Sequence, residues 1–154
     1  MSKPFLLLQI RPEDKAADGE YEAILKFGHL AVDDVVRIRL DRTDMPEFNL
    51  DDYAAVIVGG GPWNPGDPIE KQSEAQKRTE PRLFSFINRI IEQDKPCLGI
   101  CYGLEAIAVA TKTELTHEFS ICSVTNCLGS RKFTGLFFTC AGCPTRCCWG
   151  RDGF

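Results

Sequence analysis

The stretch Pro96-Cys97-Leu98-Gly99-Ile100-Cys101-Tyr102-Gly103 carries a short apolar run, residues 97–100, directly into a segment with helical character, Tyr102 to Ala110. Cys101 stands at the junction, in a Gly-x-Cys-x-Gly pattern. A side chain at a sharp strand-to-helix turn is lifted above the sheet edge, and small residues two positions before and after it relieve the crowding. The helix N-terminus that follows favours a thiolate through its dipole and its N–H groups. That pattern fits a nucleophile. It also fits a buried cysteine packed between two glycines, and these five residues do not separate the two readings.

Upstream, strand and helix signals alternate. Phe5 to Ile10 is a short apolar run, the mark of a buried strand. A helix is expected from about Asp18, as its cap, to Phe27, with Tyr21, Ile24 and Leu25 as its buried stripe and Gly28 as its stop. His29 just beyond reads as a solvated turn residue. Val35 to Leu40 and Ala54 to Val58 read as further strands, the second running into Gly59-Gly60-Gly61-Pro62-Trp63-Asn64. Glu70 to Glu80 reads as a loop with some helix. Pro81 is expected to open a helix whose apolar face is Leu83, Phe84, Ile87, Ile90 and Ile91. Strands alternating with helices imply an α/β fold: an open, mostly parallel sheet with helices on both faces.

Two loops then end strands on the same expected edge. The glycines at 59–61 let the backbone turn its N–H groups toward a ligand. With the N–H of Tyr102 they would form an oxyanion hole for a tetrahedral acyl intermediate. A plain glycine turn is the other reading. Taken together, Gly59–Asn64 and Pro96–Gly103 resemble the class I glutamine amidotransferases, which hydrolyse glutamine to glutamate and ammonia through a cysteine. The second motif looks especially like the glutaminase domains of GMP synthases and their free-standing relatives. The resemblance covers about residues 1–110. It implies a flavodoxin-like fold, incomplete in this chain, with Cys101 as nucleophile and Gly61 and Tyr102 as oxyanion donors. It also implies glutamine as substrate, an ammonia-accepting synthetase as partner, and no cofactor.

Two features depart from the family pattern. Glu105 stands where the family usually has a substrate-holding glutamine, four residues after the nucleophile. A carboxylate one turn from Cys101 would raise the thiol's pKa, unless it points aside. The family's catalytic base is a histidine in a His-x-Glu motif well downstream. This chain has two histidines, His29 and His117. His117-Glu118 lacks the spacing and lies 16 residues after Cys101, nearer than the family places its base. The triad is therefore expected to be incomplete, with His117 as a competing base.

Composition divides the chain near Ala110. Residues 1–109 carry 19 acids and 13 bases, and residues 110–154 carry 3 acids and 5 bases. Six of the eight cysteines fall after residue 121. The expected organisation is a glutaminase-like half-domain, 1–110, and a divergent cysteine-rich tail, 111–154, of the kind a shifted reading frame or a truncated gene model would produce. Phe119 to Val124 and Phe133 to Phe138 have strand character. Cys140, Cys143, Cys147 and Cys148 are a candidate tetrahedral zinc set, although adjacent cysteines chelate one ion awkwardly and incidental thiols are the competing reading.

A length of 154 residues suits one domain, and 44% hydrophobic with 26% charged residues suits a globular one. A net charge of −4 argues against nucleic acid or an anionic membrane as partner. Phe5–Leu8 is too short for a signal-peptide core and is followed at once by charge. A cytoplasmic location is the expectation.

Overall fold

The computed structural model describes residues 3–65 and 67–112. The readings placed on His117, on the tail strands and on the six later cysteines lie outside the described residues.

Among the described residues, four parallel strands form one sheet: β1 (Phe5–Gln9), β2 (Val35–Arg39), β3 (Ala55–Val58) and β4 (Cys97–Gly99). Their order is β2-β1-β3-β4. Leu7 sits opposite Arg37 on one side and Ile57 on the other, and Val58 sits opposite Gly99. Among the described residues, three α-helices connect or follow the strands: α1 (Asp14–Gly28), α2 (Glu74–Glu92) and α3 (Tyr102–Ala110). The central strands read as continuous apolar runs because both of their faces are covered. Leu6, Leu8, Val56 and Val58 pack with Leu83, Ile87 and Ile90 of α2 and with Ala106 and Ile107 of α3. Leu7 and Ile57 face the other way, against Tyr21, Ile24 and Leu25 of α1. The expected α/β sheet with helices on both faces is what the chain forms.

Two helix starts differ from the sequence expectation. α1 begins at Asp14, with Glu13 as its flanking residue, and the Ala17 N–H donates to the Glu13 carbonyl at 3.0 Å. Asp18 therefore lies inside the helix rather than capping it, and its carboxylate meets Arg37 of β2 at 2.8 Å. The extra turn carries Ala16 and Ala17, strong helix formers, and Ala17 is fully buried. The other end behaves as expected: Gly28 is the last helical residue, and exposed His29 takes the left-handed conformation, φ 51°.

α2 begins at Glu74, capped by Ser73, whose hydroxyl accepts from the Gln76 N–H at 3.1 Å. Pro81 does not open this helix but sits within it, on the exposed side. The buried face runs from Gln76, Thr79 and Glu80 into Leu83, Phe86, Ile87 and Ile90. Its first two turns are polar, so an apolar stripe does not announce them. Among the described residues, no helix is long and apolar enough to cross a membrane.

Candidate active site

The strand order reverses between β1 and β3, because β2 lies to one side of β1 and β3 and β4 to the other. In open α/β sheets the crevice beyond the carboxyl ends of the strands at such a point is where ligands bind. Three segments leave the sheet there: Ile10-Arg11 after β1, Gly59-Gly60-Gly61 after β3, and Ile100-Cys101 after β4.

Cys101 is the flanking residue at the start of α3, with φ 49° and ψ −109°. That backbone region is rarely occupied by residues other than glycine, and it costs on the order of 1–3 kcal/mol. The turn is held on both sides. The Ile100 N–H donates to the Val58 carbonyl at 2.9 Å, and the Cys101 carbonyl accepts from the N–H groups of Leu104 (2.9 Å) and Glu105 (3.2 Å). The flanking glycines are sterically required. A Cβ on Gly99 would lie 2.7 Å from the Gly103 carbonyl carbon, and one on Gly103 would overlap the Val58 carbonyl oxygen. Helix and strands approach so closely only because both positions lack a side chain.

The glycine loop comes to the same place. A Cβ on Gly60 would stand 3.3 Å from the Cys101 Cβ, while one on Gly61 would run into the Ile10 side chain. All three loop glycines are buried. The Gly60 N–H donates to Glu20 Oε1 of α1 at 2.7 Å. Gly60 thus faces the cysteine, with its own N–H committed to Glu20. Gly61 is the next residue in the loop, and Tyr102 follows the cysteine as the first residue of α3. Glu105 lies one turn further on, half-buried. His29 does not join this group: α1 runs back across the sheet, so its C-terminal end lies at the opposite edge.

Two buried polar networks brace the crevice. In the first, the Glu20 carboxylate, 9% exposed, accepts from the Gly60 N–H, from Arg11 Nε at 3.3 Å and from Gln9 Nε2 at 2.8 Å. Gln9 also donates to the Ala17 carbonyl at 2.8 Å and accepts from Arg37. In the second, the fully buried Tyr102 hydroxyl donates to Glu80 Oε1 at 3.1 Å. Glu80 also accepts from Gln76 (3.0 Å) and Gln72 (3.3 Å), and those two amides reach the carbonyls of Asn64 and Asp67. Trp63 packs edge-on against the Tyr102 ring, with centroids 5.8 Å apart. The second network therefore ties the loop after Gly61 to the residue after the cysteine.

Burial raises the Glu80 carboxyl above its usual range, although the bonds from Gln76 and Tyr102 oppose that shift. Burial, with the Glu80 charge beside it, pushes the Tyr102 phenol far above its ordinary value. The Cys97 thiol, packed against the core, is pushed up to about 12 by burial. Among the described residues, no cluster of three or more His, Cys, Asp or Glu side chains is placed to hold a metal ion.

Sequence reasoning did not reach Arg11, Glu20 or Glu80. One signal was present: Gln9 is a polar residue closing an apolar strand at the sheet edge where ligands bind.

Residues 27–134 match the family model described as glutamine amidotransferase class-I. The chain belongs to the class I glutamine amidotransferase family. Among solved structures, a glutamine amidotransferase from Methylobacillus flagellatus superposes with a TM-score of 0.51 at 22% identity, over 72% of this chain and 39% of that one. A glutamine amidotransferase from Thermotoga maritima gives a TM-score of 0.48 at 20% identity, over 72% of this chain and 44% of that one. The chain thus spans less than half the length of these solved relatives. At such identity the first superposition speaks to the fold, which it shares with this amidotransferase chain. No curated protein matches the chain.

Proposed function

We propose that this chain carries the nucleophile half of a glutaminase site, with Cys101 attacking the side-chain amide of glutamine. The observation that supports this most is the strained Cys101 backbone at the carboxyl edge of the sheet, beside the Gly59–Gly61 loop. In this reading the thiolate forms a bond to the amide carbon, and the oxygen becomes an oxyanion facing the N–H groups of Gly61 and Tyr102. The C–N bond then breaks, nitrogen takes up a proton, and ammonia leaves. Water hydrolyses the remaining glutamyl thioester to glutamate and restores the thiol. Glu105 lies where it would meet the substrate. The ammonia is destined for a synthetase partner, and the Pro96–Gly103 motif favours a relative of GMP synthase working in the cytoplasm without a cofactor.

The proton given to the leaving ammonia is the weak point. The family draws it from the histidine of His-x-Glu, a motif that does not occur in residues 1–154. Removing a triad base typically lowers the rate by several powers of ten, because the oxyanion hole and binding site supply only part of the catalysis. This chain alone is therefore expected to be inactive or severely impaired. The same absence, with Glu105 replacing the usual glutamine, favours a second reading: a non-catalytic module of the same fold that binds a partner. Ammonia release from glutamine by the purified chain is the test. A trace abolished by Cys101→Ala supports an impaired enzyme, and none at all supports the binding module. Brisk release abolished by both Cys101→Ala and His117→Ala would overturn the account of the missing base.

A further inference from the structure

Gly60 in the glycine loop is flanked by Cys101 and by two charged side chains, Arg11 and Glu20. A Cβ on Gly60 would stand 2.7 Å from Arg11 Nη2, 3.3 Å from Glu20 Oε1 and 3.3 Å from the Cys101 Cβ. The guanidinium and the cysteine are therefore no further apart than the sum of two short contacts, with only a glycine between them. A side chain at position 60 would displace them. Arg11 is 30% exposed on its side chain, so its charge is only partly screened, and Glu20 holds it through Nε while pinning the Gly60 N–H. We propose that the Arg11–Glu20 pair sets the ionisation of Cys101: Arg11 favours the thiolate, and Glu20 positions Arg11 and tempers its charge.

Among the described residues, the other groups near Cys101 play different parts. On α3, half-buried Glu105 opposes a thiolate. Tyr102 directs its phenol away, to Glu80. On α1, Tyr21 belongs to the apolar cluster that Cys101 packs against, with Arg37 stacked on its ring at 4.8 Å. Arg11, held by Glu20, is thus a cation placed near the cysteine across Gly60. A unit charge at this distance in a partly screened site moves a thiol's ionisation enough to change the thiolate fraction at neutral pH about tenfold.

This inference rests on reading Cys101 as the reactive thiol, but its test does not need glutamine. The full chain is alkylated with iodoacetamide between pH 5 and 10, and the modified cysteine is identified by peptide mapping. Arg11→Gln should slow Cys101 alkylation at pH 7 about tenfold, and Arg11→Lys should restore most of the rate. Glu20→Gln keeps an acceptor for Gly60 but removes the opposing charge, so it should speed alkylation several-fold. A merely structural role would move Arg11→Gln and Glu20→Gln in the same direction, which would overturn the proposal, as would no change in either. If Arg11→Gln does not fold, Glu20→Gln decides alone: a slower or unchanged rate overturns the proposal. Charge-independent alkylation together with glutamine-protected labelling by a glutamine analogue would reject this pairing alone. The reverse pattern would reject the glutaminase reading alone.

Discussion

Gly99 and Gly103 show why the spacing around Cys101 is what it is. Each lies where a Cβ would meet backbone rather than a movable side chain, and backbone held in a sheet or helix does not yield cheaply. Gly103→Ala should therefore cost about 3 kcal/mol or more of stability, at the upper end for overpacked sites. Urea unfolding of the purified variant measures this, and an unchanged midpoint would contradict the account of the elbow. Glu80 makes a different prediction. Its carboxyl is raised in the folded chain above the ordinary 4.5 because burial disfavours the charge. Above pH 4.5 the unfolded chain gives up this proton more readily than the folded one, so the group's contribution falls as pH rises toward its folded value. The stability of Glu80→Gln relative to the native chain should accordingly increase as pH rises above about 4.5. A difference that stays flat with pH would show that Glu80 is not the source. The elbow was legible because its glycines lie two positions away in sequence. Arg11, Glu20 and Glu80 were not, because each matters through a partner 9 to 40 residues distant that only the folded sheet brings near.

At the scale of elements, strands were the most readable part, since parallel strands covered on both faces must be apolar throughout. Helix starts were less so. The first turns of α2 bury Gln76, Thr79 and Glu80, and their partners (Asn64, Leu40 and Tyr102) come from other parts of the chain. A polar stretch ending at a proline looks like a loop until those partners are known. Pro81 also leaves the Lys77 carbonyl without its usual helical N–H donor. Pro81 is exposed, so Pro81→Ala should raise stability by about 1–3 kcal/mol, less the gain in unfolded-chain entropy. Thermal unfolding checks this, and a lower melting temperature would mean that the proline serves a purpose the helix geometry does not show.

For the whole molecule, the sheet order places the cysteine elbow and the glycine loop at one edge, and two polar networks fix them there. α1 and α2 each send one buried carboxylate toward that edge, Glu20 to the loop and Glu80 to the residue after the cysteine. Residues 1–154 hold no His-x-Glu. The structure describes residues up to Lys112, and the family match runs on to residue 134. The two thiols within the described fold offer a direct comparison. Cys97 is raised by burial to about 12, whereas Cys101 stands at the strained turn.

Labelling with a glutamine analogue bearing a chloroketone or diazo group, followed by peptide mapping, tests the central claim, that Cys101 is the nucleophile of a glutamine site. With the chloroketone the thiolate displaces chloride directly and needs no general acid, so that labelling does not depend on a His-x-Glu motif. The account predicts an adduct on Cys101 that forms well before any on Cys97 and is slowed by added glutamine. Equal labelling of the two cysteines, indifferent to glutamine, would contradict it.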